Sequence, residues 1–290
     1  LFSIAFLFSL HQVSVRKGTL NASTAVGTFF SIATTAALFS LTSLIAILFF
    51  HSTAFSLKFV ELMVIAGVIH FAFARAVFYQ CISRLGANVA ATLATTRIFF
   101  AAALGYFILG EGLSFKTAVM TILVFLGIAM LMFRVVKEVY GVALGIMTGF
   151  LSALASIFAK EGMLTQTTNA GLEAVTGTAL GYVASLAVFY LFLTLLGSVR
   201  IQNICTGEIK FSRNYLPFVL GGVFVGFGHF LRYIALFHYS VCLVETFISV
   251  YPIFTYLLSG LLVRRFEIFN LRFLAASLLI IAGVEFYLVY

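Results

Sequence analysis

Aspartate does not occur in this chain; all nine acidic residues are glutamates. Its absence excludes Asp-based metal clusters and paired-aspartate catalysis. Cysteine is nearly as scarce. Cys81, Cys205 and Cys242 stand far apart with no CxxC or Cys/His spacing, so neither a zinc site nor a disulfide framework is indicated, and they read as small apolar packing residues. Charge is sparse as well, at 9% of residues against 63% hydrophobic. Soluble domains average about 25% charged and about 45–50% apolar residues, so this chain cannot cover itself with a water-compatible surface. Lipid is its solvent. The formal charge of +8 does not imply a nucleic-acid partner, because Lys and Arg gather at the ends of apolar runs, where they meet headgroups and set topology.

What the chain does contain is a succession of apolar runs. A helix of about 20 apolar residues spans the hydrocarbon core. Runs near 1–15, 26–50, 59–82, 87–109, 115–134, 141–159, 171–196, 215–237, 241–262 and 272–290 predict about ten spans. The first, opening at Leu1 and closing before Arg16 and Lys17, reads as a trimmed span rather than a signal peptide. Gly197 to Asn214 is the longest polar link; the others are short enough to make successive helices antiparallel.

Two pairs of stretches suggest duplication. Arg16-Lys17-Gly18 closes the first span and Lys160-Glu161-Gly162 the sixth. Ile98-Phe99 opens a run that ends in Glu111, and Ile253-Phe254 one that ends in Arg264-Arg265-Phe266-Glu267. With five spans per half, the second copy must enter the membrane from the opposite side. The expected fold is an all-α membrane protein of about ten transmembrane helices in two inverted five-helix repeats, residues 1–134 and 141–290.

At these residues the sequence resembles the drug/metabolite transporter superfamily in its EamA type. The most specific element is Leu-Gly-Glu-x-Leu-Ser, here Leu109 to Ser114, with a degenerate second copy around Glu267. Helices four and nine of the family usually carry a proline, matched by Pro252 as a helix kink in the second half; the first half has Arg97 in the equivalent place. The resemblance implies a secondary transporter with a central cavity. The third, fourth, eighth and ninth helices would line it, with parts of the first and sixth. It also implies small-metabolite or drug efflux. A proton-coupling carboxylate of the kind four-helix relatives place in their first helix is missing from spans one and six.

Charges deep in a span cost from about 2.5 kcal/mol upward and face a cavity or a partner. Four such residues, Arg75, Arg97, Arg232 and Glu245, fall on the helices named above. A buried ion-pair network that fixes packing is the alternative to a binding role. Arg97 lies roughly ten residues into its span, about 15 Å from either surface, beyond comfortable snorkelling. Its planar fork of donors suits a carboxylate or phosphate. Arg232 and Glu245 share a depth on adjacent antiparallel helices and are expected to pair. His229, three residues before Arg232, would join them, and Gly67-x-x-His70-Phe71 echoes Gly226-x-x-His229-Phe230. The predicted substrate-binding set is Arg97, Arg75, Tyr251 and His229, with Arg232 and Glu245 as a coupling or ion pair. Glu61, Glu173 and Glu285 lie near span ends, where headgroups would solvate them.

The leading functional expectation is a multi-pass transporter of the cell membrane. It would move a small organic metabolite, anionic or zwitterionic, by alternating access in efflux or exchange. The rivals are an intramembrane enzyme and a membrane scaffold; the five histidines show no His-x-x-x-His or similar catalytic spacing. No metal and no cofactor are expected, and the partners are the solute and the bilayer, with monomer and homodimer both open. Orientation is open too. The Lys and Arg distribution favours external termini by the positive-inside rule, whereas the resemblance implies cytoplasmic ones.

Overall fold

A computed structural model describes residues 1–50, 55–112, 114–132, 138–166, 169–195 and 212–267, with positions 269, 279, 282, 283 and 286 beyond them. Every regular element among these is helical. Helix α1 is Phe2–Thr19 and α2 is Thr24–Phe50. The third expected span comprises α3, Leu57–Gly67, a π-helical segment, Val68–Ala74, and α4, Arg75–Leu85. The fourth comprises α5, Ala87–Ala94, and α6, Arg97–Leu109. There follow α7, Phe115–Met132, α8, Val139–Leu164, α9, Ala170–Leu195, and α10, Leu216–His238, and the ninth span comprises α11, Val241–Ile248, and α12, Tyr251–Leu262.

Seven of these units are long and apolar enough to cross a membrane: 24–49, 57–85, 87–109, 139–164, 170–195, 213–238 and 241–262. The apolar stretch of α7, Phe115–Gly127, is shorter. Helix α1 is diluted by His11, Gln12, Arg16 and Lys17. The expected tenth span, 272–290, lies outside the described residues apart from isolated positions. Large apolar side chains such as Phe49, Phe107 and Leu261 point outward and are exposed, a surface that only lipid solvates.

Helices that lack a hydrophobic drive to associate in lipid pack instead through small residues. Gly222 of α10 lies against the backbone of Ser31 in α2, and Gly228 against the ring of Phe8 in α1. The closest approach joins Gly67, at the end of α3, to Gly181 of α9, where a Cβ on Gly67 would run into the Gly181 backbone. One turn further on, Phe71 stacks on Tyr182 with ring centroids 3.8 Å apart.

Two spans are broken near their middles, which the apolar runs did not predict at these positions. The fourth breaks at Thr95-Thr96 without any proline. Both hydroxyls turn back onto carbonyls of the preceding turn, Thr95 donating to Thr92 at 2.5 Å and Thr96 to Leu93 at 2.8 Å, beside the backbone N–H groups of the same two residues at 3.3 and 3.1 Å. Such back-bonding competes with the helical ladder. Gly149 of α8 leaves room for the break, because a Cβ there would sit 2.8 Å from the Arg97 amide. The ninth span breaks at Ser249-Val250, just before Pro252, which occupies the first turn of α12 where its missing N–H costs nothing. Arg97 and Tyr251 are thus the first residues of the two restarted helices.

One expectation is corrected. Glu173 is buried rather than solvated by headgroups, because it closes a capping box. Its carboxylate accepts from the Asn169 amide at 3.2 Å, while Asn169 accepts from Gly171 and Leu172. Glu61 is exposed as expected, and Glu285 lies outside the described residues.

The glycine contact yields a test. Gly67→Ala has no flexible neighbour to yield to the added methyl, so overpacking should cost about 1–3 kcal/mol and lower the unfolding temperature of the purified protein in detergent.

Candidate functional site

Four residues selected from sequence for different reasons meet at one small central cavity of about 50 Å³: Arg75, Arg97, His229 and Tyr251 all line it. They arrive on α4, α6, α10 and α12, and His70 joins them from the π-helical segment. The first and sixth spans also contribute, as the resemblance implied, through residues that the sequence reading did not single out. Helix α1 contributes Phe8, His11 and Gln12, and α8 contributes Thr148 and Ser152. The polar pair His11-Gln12 inside an otherwise apolar run was the available signal.

The two cavity arginines are held in similar ways. The Arg75 guanidinium carbon lies 4.8 Å from the ring centroid of Tyr182 and 5.6 Å from that of Phe71, and the Tyr182 hydroxyl accepts a hydrogen bond from Arg75. The Arg97 guanidinium carbon lies 4.8 Å from the Tyr251 ring and 6.0 Å from Phe8. Aromatic faces hold a cation without neutralising it. Arg97 Nε is also 3.5 Å from the Ser249 hydroxyl and 3.4 Å from the Glu245 carboxylate, the latter an ion-pair distance without hydrogen-bond geometry. Nη1 of Arg75 and Nη2 of Arg97 have no hydrogen-bond partner although both are buried.

Arg232 and Glu245 stand together behind the cavity wall. Arg232 donates to one Glu245 oxygen through Nε at 2.8 Å and Nη2 at 2.6 Å, and the same oxygen accepts from Ser156 at 2.9 Å. Arg232 also donates to Ser156 and to the Ser152 carbonyl. Both side chains are fully removed from solvent. A single carboxylate therefore serves two guanidiniums, and with Arg75 the group carries an excess of positive charge.

The anticipated His, Arg and Glu cluster is split. His229 leaves Arg232 and Glu245 and packs edge-on against His70, ring centroids 4.6 Å apart, with Phe71 at 4.7 Å and Phe8 at 5.1 Å on its other sides. Nδ1 of each histidine is buried without a hydrogen-bond partner. Tyr251 presents its ring to Arg97, but its hydroxyl donates to the Ala91 carbonyl at 3.0 Å and so braces the fourth span. Pro252 lies outside the cavity lining and acts through the helix break. Among the described residues no group of three His, Cys or Glu side chains could hold a metal. Cys81 and Cys242 are buried free thiols, and Cys205 is outside the described residues.

Residues 1–133 match the family model described as the EamA-like transporter family. The fold is similar to that of a crystallised protein 16% identical in sequence, with a TM-score of 0.69, over 98% of this chain and 94% of that one. No curated protein matches the chain.

The shared carboxylate makes the following expectation. Glu245→Gln leaves Arg232 and Arg97 buried without their counter-charge and should destabilise the fold by about 3–5 kcal/mol. Adding Arg232→Met should restore part of that loss, because it removes one of the two buried guanidiniums left without a counter-charge while Arg97 remains. Thermal unfolding of the single and double variants measures both effects.

Proposed function

We propose that the chain is a membrane transporter of the EamA-like kind, the family whose model matches residues 1–133, and that it carries a small organic anion or zwitterion by alternating access. The carrying observation is the pair of cavity guanidiniums, each with a buried nitrogen that has no hydrogen-bond partner. A carboxylate or phosphate matches the planar donor fork of arginine bidentately. Buried donors without partners are costly, and an anionic group placed between them removes that cost. A cationic drug would meet the excess positive charge of Arg75, Arg97 and Arg232 over Glu245 and be repelled.

Alternating access is supported by a feature that recurs in the two proposed halves. Residues 1–134 and 141–290 each contain a span broken mid-membrane, and each break is followed at once by a cavity residue, Arg97 in one and Tyr251 in the other. Discontinuous helices at the midplane are the usual construction around a transported solute, and an odd number of spans per half inverts the second relative to the first. Efflux or exchange across the cell membrane is the direction in keeping with this reading. Glu245 is already committed to Arg232, Arg97 and Ser156, which makes it a structural counter-charge rather than a proton carrier.

Uptake of labelled small carboxylates and phosphates by proteoliposomes tests the reading. Arg97→Ala should abolish uptake while the purified protein still unfolds cooperatively. Arg97→Lys should keep partial activity at best, because lysine retains the charge and loses the fork. Full uptake by Arg97→Ala, or wild-type uptake confined to organic cations, would overturn it.

A further inference from the structure

Two glutamates remote from the cavity hold matching positions at opposite ends of the bundle. Glu111 follows α6, and its two carboxylate oxygens accept from the backbone N–H of Val241, the first residue of α11, at 3.0 and 2.9 Å. Glu267 follows α12 and accepts from the N–H groups of Ala87 and Asn88, the first two residues of α5, at 2.8 and 3.1 Å. The carboxylate beyond one broken span thus caps the start of the other. Each has a cation beside it. Arg16, near the end of α1, lies 3.0 Å from Glu267 and donates to the carbonyls of Ile82, Ser83 and Phe266. Lys160, near the end of α8, donates to the carbonyls of Leu236 and Tyr239 with Glu111 as its neighbouring counter-charge. Glycine makes room at both ends: a Cβ on Gly105 would lie 2.9 Å from Glu111, and one on Gly86 2.8 Å from Glu267.

Successive helices run antiparallel, so residues 111, 160 and 236–241 collect at one end of the bundle and residues 16, 82–88 and 267 at the other. We propose that Glu111 and Glu267 are the two gate residues of the transport cycle, each keeping one membrane face closed by holding the first turn of the opposite half's broken helix. The inference rests on the transport reading above. A carboxylate suits this task because it satisfies N–H groups that no helical carbonyl reaches and opposes the positive end of the helix dipole. Near the surface it can exchange these donors for water without unfolding the helix. Between each cap and the mid-span break lies one helix of eight residues, α5 or α11, about 12 Å long. Its far end adjoins Arg97 or Tyr251 at the cavity. A gate and a site residue therefore sit at the two ends of a short rigid lever, and solute bound at the hinge can be felt at the cap.

The test needs no solute. In full-length protein with its three native cysteines replaced by alanine, Thr148→Cys places a thiol on the cavity wall. Its modification by a membrane-impermeant maleimide is followed in intact cells and in inside-out vesicles. Glu111→Gln should accelerate labelling from one face only, and Glu267→Gln from the opposite face only, each by roughly tenfold or more for a lost charge-assisted hydrogen bond. Val241→Pro and Ala87→Pro delete a donor while leaving the carboxylate, and proline is tolerated as the first helical residue, so they should open the same faces as Glu111→Gln and Glu267→Gln respectively. Unchanged labelling in all four variants, or the same face opened by both glutamines, overturns the proposal. So does failure of both variants of one face to fold, which would make that cap purely structural. Wild-type proteoliposomes that take up no anion would overturn the substrate reading, while the labelling pattern would still decide the gates.

Discussion

Glu245 is the constraint around which the membrane interior is arranged. Three guanidiniums lie at the level of the cavity, and this one carboxylate, wholly buried, is shared by two of them. A charge in that setting persists only beside a counter-charge or a set of polar partners. One oxygen is saturated by Arg232 and Ser156, and the other faces Arg97. The helix that carries Glu245 ends three residues later, and the Ser249 hydroxyl at the break donates back to the Glu245 carbonyl at 2.7 Å. Counter-charge, hinge and cavity wall are consequently one connected assembly. Ser156 lies on α8 and Arg232 on α10, so Glu245 ties α11 to both helices at this level.

The arrangement differs in the other half, and the difference follows from which residue begins the restarted helix. Tyr251 offers an aromatic face and a hydroxyl already engaged with Ala91; Arg97 offers a charge with a nitrogen to spare. The ring of the one supports the cation of the other at 4.8 Å. Proline could make the second-half break by omitting an N–H. The first half, with arginine there, tightens its last turn instead, the Thr95 and Thr96 hydroxyls joining their own amides on the Thr92 and Leu93 carbonyls. In a solvent that supplies no hydrogen bonds, an interruption must bring its own donors and acceptors. Thr-Thr and Ser-x-x-Pro are two solutions to that one requirement.

This explains what the sequence could and could not disclose. Seven of the spans were legible because about twenty apolar residues between charges leave few alternatives, whereas the apolar stretch of α7 is shorter and the run 272–290 lies mostly outside the described residues. Arg75 and Arg97 were legible because a charge far from either surface is conspicuous. The roles of Phe8, His11 and Thr148 were not, since an aromatic, a histidine or a threonine in a span packs against neighbours far more often than it lines a cavity. Nor was the parting of His229 from Arg232, which lie three residues apart on one helix yet meet different neighbours, His70 and Phe71 for the one and Glu245 and Ser156 for the other. Glu111 was visible as part of a sequence pattern, but its acceptor role depends on an amide 130 residues further along. Burial of Glu173 was equally non-obvious, because a carboxylate near a span end is usually hydrated and only the Asn169 box withdraws it.

Interactions at the centre and at the ends of the bundle differ in how reversible they are. At the centre, water is excluded, so breaking Arg232 from Glu245 exposes unpaired charge to low dielectric and carries the full desolvation cost. At the ends, the Glu267 side chain is buried where it is seated, but Arg16 beside it is 14% exposed and the headgroup region is close, so a carboxylate that leaves its amides has other hydrogen-bonding partners within reach. A bundle built this way has a stiff middle and exchangeable ends. Glu267 shows the balance within one residue: burial pushes its carboxyl above the ordinary range, while the Ala87 and Asn88 amides and Arg16 pull it down.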